Sequence, residues 1–290
     1  MQSGPVVLVV GSLHHDIMIE ADHLPRRDET AVGRRWYPKF GGKGGNQAVA
    51  AARAGVASRM VGAVGDDGFG RFMLGALDRD GVDRRFVRVL DGAGSGMSVA
   101  VQDGAGDYAA TIVSGANLLI DVADISQDLV WDGVRVLVLQ NEVPGTVNLC
   151  AAVEARARGV EVVWNAAPTR EVEDAFWGLV DVLVVNAVEA EMMGAGRVAD
   201  RGGAMAAARV LAERVGAVVV TAGAAGLAAV GRDGEAFDMP AVPVRVVSSH
   251  GAGDSFVGTL AARMAQGRGL REACADAAAV AARHVAGGGV

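Results

Sequence analysis

Ser248-Ser249-His250-Gly251-Ala252-Gly253-Asp254-Ser255-Phe256 sets small residues and glycines directly ahead of an aspartate, and an apolar, helix-like run follows. A glycine-rich turn that opens a helix is an anion site, because free backbone N–H groups and the positive helix end converge on one point. A carboxylate at its mouth is placed to take a proton from an attacking hydroxyl. Anion cradle and base together are the minimum equipment for phosphoryl transfer to an alcohol. The plainer reading of the same residues is a loop closed by an aspartate N-cap. The rest of the chain has to choose between them.

Working outward, apolar runs of strand length at 6–10, 134–139, 160–164, 180–185 and 217–220 alternate with helix-like stretches at 146–157, 201–215 and 255–266. Continuous Val/Leu runs suit parallel strands buried on both faces. Their alternation with helices predicts an α/β fold, a mostly parallel sheet with crossover helices on both faces. A further helix is predicted at 46–54, after a second glycine cluster. Residues 97–113 read as two strands around a Gly-containing turn, and 16–20 and 30–37 read as extended. These suggest a small β-sheet beside the main one, a lid contributed by about 16–38 and 97–113, within one continuous domain over 1–290. The tail Gly287-Gly288-Gly289-Val290 reads as frayed or truncated.

The chain has 290 residues, 51% hydrophobic and 21% charged, with a net charge of −7. That balance speaks against nucleic acid or an anionic membrane as the main partner, and sparse aromatics offer no stacking platform for single strands. Cys150 and Cys274 stand far apart and outside metal-ligand spacing, so free thiols in a cytoplasmic setting are expected. The apolar run at the N-terminus lacks a basic flank and is too short to span a membrane.

The second cluster is Phe40-Gly41-Gly42-Lys43-Gly44-Gly45-Asn46-Gln47-Ala48. It is neither a phosphate-binding Walker loop nor a dinucleotide fingerprint. Its glycines allow close backbone approach to a ligand, with Lys43 and Asn46 as donors; a turn capped by Asn46 is the plainer alternative. The first strand runs into Gly11-Ser12-Leu13-His14-His15-Asp16, where His14 and Asp16 face one side of an extended chain. That pair can grip vicinal hydroxyls; it is also half a metal site, with no further ligands at matching spacing. Other strand ends carry Glu142, Asn186 with Glu189, and Thr221 with Gly223 and Gly226. In an open α/β sheet, ligands bind at this carboxyl edge.

Taken together, Gly11 to Asp16, Gly41 to Ala48, Asn186-x-x-Glu189, Thr221-x-Gly223 and Gly251-Ala252-Gly253-Asp254 resemble the ribokinase-like (phosphofructokinase-B type) carbohydrate kinases, over about residues 5–285. The Gly-Gly-Lys-Gly-x-Asn-Gln-Ala form is most similar to the ribokinase branch. The resemblance implies a three-layer fold whose β-lid closes over a sugar and pairs with a second subunit's lid in a homodimer. It implies that His14, Asp16, Gly41, Gly42, Lys43, Asn46 and Glu142 bind the sugar. Asp254 would be the general base, with Gly251, Ala252 and Gly253 as the anion hole. ATP would lie along Asn186, Thr221, Gly223 and Gly226, and Asn186 and Glu189 would organise Mg²⁺. The chain departs from the family pattern in three places. His14 stands where Asn is usual. Ser248-Ser249 stand for an Asp-Thr pair whose acid helps bind activating potassium, so potassium is expected to activate weakly or not at all. The chain also stops about where further potassium ligands and a final helix would come.

The expected activity is ATP-dependent phosphorylation of a pentose, D-ribose foremost. Alternatives are a kinase of the same fold for another sugar, sugar acid or nucleoside, and a silent sugar- or nucleotide-binding regulator, which would have no need of Asp254. A dehydrogenase would need a Gly-x-Gly-x-x-Gly after the first strand, and none is there.

Overall fold

The computed structural model describes residues 4–104 and 108–288. The chain runs β1 (Val6–Val10), β2 (His14–Ala21), β3 (Gly33–Gly41), α1 (Lys43–Arg53), β4 (Ala57–Gly65), α2 (Gly68–Arg79), β5 (Asp83–Leu90), β6 (Met97–Gln102) and β7 (Tyr108–Val113). It continues through α3 (Val122–Ile125), β8 (Val134–Gln140), α4 (Gly145–Ala157), β9 (Glu161–Asn165), α5 (Asp174–Trp177), β10 (Val182–Asn186), α6 (Ala187–Met192) and α7 (Arg201–Leu211). Last come β11 (Ala217–Thr221), β12 (Leu227–Val230), β13 (Ala236–Met239), α8 (Ala252–Ala265) and α9 (Leu270–Arg283).

The main sheet has the order β13-β12-β11-β10-β9-β8-β1-β4-β5. From β5 to β11 every pairing is parallel, and β12 and β13 add an antiparallel edge. Strand alternation builds the two apolar layers. Val6, Leu8 and Val10 join a core with Ala151 of α4, Ala190 of α6 and Ala207 of α7. Val7 and Val9 join the opposite core with Ala48 of α1, Met73 of α2, Leu260 of α8 and Ala277 of α9. Strands buried on both faces need apolar residues at every position, which is why β1 is an unbroken Val/Leu run. The chain leaves β1 toward β4 and β5, then returns on the other side through β8, β9, β10 and β11. Strand order therefore reverses between β1 and β8, and a crevice opens at their carboxyl ends.

The second sheet has the order β3-β2-β6-β7, with β2 parallel to β6 and its other pairings antiparallel. Its first two strands are longer than the predicted 16–38, running from His14 to Gly41. The centre of the predicted turn between β6 and β7 lies outside the described residues. β2 follows β1 after Gly11-Ser12-Leu13, and only Gly42 separates the end of β3 from the start of α1, so this sheet is rooted at the crevice.

Part of the tail departs from its expected frayed state. After α9, His284–Gly288 forms a further turn, and the Val285 carbonyl accepts hydrogen bonds from Val247 N (2.7 Å) and Ser248 N (3.2 Å). Gly289 and Val290 lie outside the described residues. Among the described residues no helix is long and apolar enough to cross a membrane.

Candidate active site

The end of β1 and the start of α1 touch. A Cβ on Gly44 would lie 2.5 Å from Ser12 N and 2.8 Å from Gly11 Cα, so only glycine permits this approach. Gly42, the N-cap, takes φ +86° and gives no side-chain cap. The unpaired N–H groups of the first helical turn are met from β1 and β8 instead. Lys43 N donates to Glu142 Oε2 (2.8 Å), Gly44 N to Ser12 Oγ (3.3 Å) and Gly45 N to Ser12 O (2.9 Å). Ser12 Oγ donates to the same Glu142 oxygen at 2.5 Å. A carboxylate at a helix N-terminus is favoured by the helix dipole. Asn46 is therefore not the cap of this turn.

Asn46 turns instead to Asp254. Its Nδ2 donates to Asp254 Oδ2 (3.1 Å), and Gln47 Nε2 donates to Asp254 Oδ1 (3.1 Å) and to Asn165 Oδ1 (3.0 Å). The plainer reading of Asp254 as a helix cap fails. The N-cap of α8 is Gly251, in the left-handed conformation at φ +81°, and Asp254 lies inside the first turn. Its side chain is buried. Burial pushes the carboxyl up from its ordinary range, and Lys43, Asn46 and Gln47 pull it back only in part. A raised carboxyl is a better proton acceptor when ionised.

Asp16 is buried at the root of the second sheet, where Ser98 Oγ donates to its Oδ1 at 2.5 Å. A Cβ on Gly41 would overlap Asp16 Oδ2, so the glycine makes room for this carboxylate. His14 is 3% exposed, with Nδ1 3.9 Å from Glu142 Oε2 and Nε2 without a protein partner. His15, on the other face of β2, stacks on Phe69. Beyond Asp16 stands His250, its Nε2 3.9 Å from Asp16 Oδ2. Burial, with Lys39 next, lowers the His250 imidazole below its ordinary value. Burial likewise lowers the Lys39 ammonium.

Asn186 and Glu189 form a capping box at the start of α6: Glu189 N donates to Asn186 Oδ1 (2.9 Å) and Asn186 N to Glu189 Oε2 (2.8 Å). Burial raises the Glu189 carboxyl, and the charges of Lys43 and Asp254 both act on it, so it shares their electrostatic neighbourhood. Thr221 pairs with Asn186 across the sheet. Gly226 has a structural reason of its own, since a Cβ there would overlap the Met239 carbonyl. Among the described residues no group of three or more His, Cys, Asp or Glu side chains is placed to hold a metal.

The crevice thus unites both glycine motifs with Asp16, Glu142 and Asp254. Sequence reading passed over Ser12, Gln47, Asn165, Lys39 and His250. Gln47 was within reach, because it stands beside Asn46 in a quoted motif. A buried carboxylate in the first turn of α8, with polar side chains converging from the end of β1, from β2 and from α1, is an arrangement able to take a proton from an alcohol. The chain belongs to the pfkB family of carbohydrate kinases, whose profile matches residues 6–290. It is a sugar kinase, a phosphotransferase with an alcohol group as acceptor. Mus musculus ribokinase is 33% identical over 264 residues, 90% of this chain and 82% of the relative. Salmonella typhimurium deoxyribokinase is 31% identical over 288 residues, 98% of this chain and 93% of the relative. The structure of Arabidopsis thaliana ribokinase complexed with ribose and ATP superposes with a TM-score of 0.89 at 27% identity, covering 97% of this chain and 93% of that one.

Proposed function

We propose that this chain transfers the γ-phosphoryl group of ATP to the primary hydroxyl of D-ribose, giving ribose 5-phosphate. The observation that carries the reading is Asp254, a buried carboxylate with a raised pKa, held by Asn46 and Gln47 beside the N-terminal turn of α8. Asp254 takes the hydroxyl proton as the oxygen attacks. The N–H groups of Gly251, Ala252 and Gly253 face the charge on the transferred phosphoryl group. Asp16, Glu142, Lys43, Asn46 and His14, with the open backbone at Gly41 and Gly42, hold the sugar hydroxyls. Asn186, Thr221, Gly223 and Gly226 line the nucleotide. Mg²⁺ keeps several waters and takes one or two carboxylates plus phosphate oxygens, and the donors of Asn186 and Glu189 fit that demand. When bound, it neutralises charge on the nucleotide phosphates. Closure of the second sheet as a lid would exclude water as a competing acceptor. The exposed Trp36 and Ile112 on that sheet support a homodimer through it. Free Cys150 and Cys274 fit a cytoplasmic setting.

The test is ADP formation by the purified chain with ATP and Mg²⁺ on D-ribose, 2-deoxyribose, fructose, sugar acids and adenosine. D-ribose is expected to give the highest kcat/KM. Preference for another acceptor would overturn the ribose assignment; 2-deoxyribose is the sharpest rival, given the deoxyribokinase relative. No turnover on any acceptor would overturn the reading whole.

Two further outcomes follow from the departures at His14 and Ser248. His14→Asn is expected to raise the preference for ribose over 2-deoxyribose by roughly threefold to tenfold, the scale of one hydrogen bond. An unchanged profile across the panel would place His14 outside the sugar pocket. Replacing sodium with potassium at fixed ionic strength is expected to change turnover by less than about twofold, because Ser248 brings no charge to attract a cation. A large potassium stimulation would refute that.

A further inference from the structure

We propose that His284, at the end of α9, is a positioning residue that sets the anion loop from outside the reaction centre. The inference rests on the reading that residues 251–253 hold the transferred phosphoryl group. His284 Nε2 lies 2.9 Å from the His250 carbonyl oxygen. A carbonyl only accepts, so Nε2 carries the proton. The imidazole also packs on the bare Cα of Gly251, where a Cβ would lie 3.2 Å from Nε2. It therefore grips both sides of the His250–Gly251 peptide, the unit that feeds the first N–H groups of α8.

The neighbouring residues of the same turn reinforce the grip. Val285 O receives Val247 N at 2.7 Å and Ser248 N at 3.2 Å. Gly287 takes φ +82°, and a Cβ there would rest 3.5 Å from Val247. The end of α9 and residues 247–251 are thus joined by three hydrogen bonds. Within the loop the bonds are longer: Ala252 N to Ser249 O is 3.3 Å and His250 N to Ser248 Oγ is 3.4 Å. Long bonds hold geometry weakly, and Val246 and Val247 are exposed rather than anchored in a core. Gly251 is tied to α8 by Ser255 N to Gly251 O (2.9 Å), and on its other side the contacts to the end of α9 are what hold it. They also decide where the His250 imidazole stands relative to Asp16, 3.9 Å away. A loop free to shift by an ångström would misplace the N–H groups at the moment of transfer, when their contribution is largest.

The experiment compares wild type, His284→Ala and His284→Gln. Gln offers an amide donor of similar reach. Steady-state kinetics give kcat and sugar KM, and hydrogen exchange without substrates follows the amides of 251–254. His284→Ala is expected to lower kcat about tenfold or more with sugar KM within about twofold, and to speed exchange at 251–254. His284→Gln is expected to recover most of both. Wild-type kcat in His284→Ala overturns the proposal. So does unchanged exchange at 251–254, whatever happens to the melting temperature, and so does a Gln variant no better than Ala. If the wild type phosphorylated no sugar, the function proposed above would fail, while the exchange comparison would still judge the contact by itself.

Discussion

Asp254→Asn is expected to cut turnover by roughly 10²–10⁴-fold, the usual scale for losing a general base, with sugar and ATP affinities within a few-fold of wild type. The substitution keeps the side chain's size and removes the capacity to take a proton; its amide nitrogen also replaces one of the two oxygens that accept from Asn46 and Gln47. Near-normal turnover would rule out Asp254 as the base. The wild-type pH profile carries the same information. Because burial raises the Asp254 carboxyl, the acid limb of kcat/KM is expected above the ordinary carboxylate range and is expected to vanish from the residual activity of the variant. Stability should move the opposite way. A carboxyl whose folded pKa is raised stabilises the protein while protonated, and that contribution is lost as pH rises through the folded value. At neutral pH the ionised Asp254 therefore costs stability that a neutral amide in its place would not. Asp254→Asn is expected to melt higher than wild type at pH 7, with the gap closing as the pH falls and Asp254 becomes protonated. A lower melting temperature at pH 7 would show that losing one of the two accepted bonds, from Asn46 or Gln47, outweighs the relief of the buried charge.

How much of this was legible in the chain depended on range. β1, β8, β9, β10 and β11 were read to within about two residues, because a strand buried on both faces writes itself as a Val/Leu run. β4 and β5 were missed. β4 is Ala-Ser-Arg-Met-Val-Gly-Ala-Val-Gly, and its Arg59 is buried because it pairs with Asp83 (2.9 Å) and donates to the Val130 carbonyl (2.8 Å). β5 is half charged, as suits the edge of a sheet. Glycine motifs were readable because their chemistry is local. The bond from Gln47 to Asp254 joins residues 207 apart, and the contact between His284 and His250 depends on how α9 ends. Neither leaves a periodic trace. Asn186-x-x-Glu189 is ambiguous for a different reason: the same two residues spell a helix start and a pair of oxygen donors, and the fold shows the first without excluding the second.

The union of the two glycine motifs depends on α1 lying against α8, and Gly258 is where that packing is closest. A Cβ there would overlap the Gln47 carbonyl, lie 2.6 Å from Ala50 Cβ and come within 3.0 Å of Ala51 N. In an exposed helix, Gly→Ala stabilises by up to about 1 kcal/mol. Here the added methyl meets backbone, which cannot rotate away, and overpacking of this kind costs about 1–3 kcal/mol. The packing term is expected to win, so Gly258→Ala should lower the melting temperature. It should also lower kcat, because pushing α8 off α1 draws Asp254 away from Asn46 and Gln47 together. Gly75→Ala in α2 is the control. The nearest atom to a Cβ there is the end of the flexible Arg79 side chain, at 3.6 Å, so propensity alone should act and the protein should melt higher with kcat unchanged. If Gly258→Ala behaved like Gly75→Ala, tight apposition of the two helices would not be what holds the base in place. If it lost stability but kept kcat, Asp254 would be positioned by its own helix and not by the α1 motif.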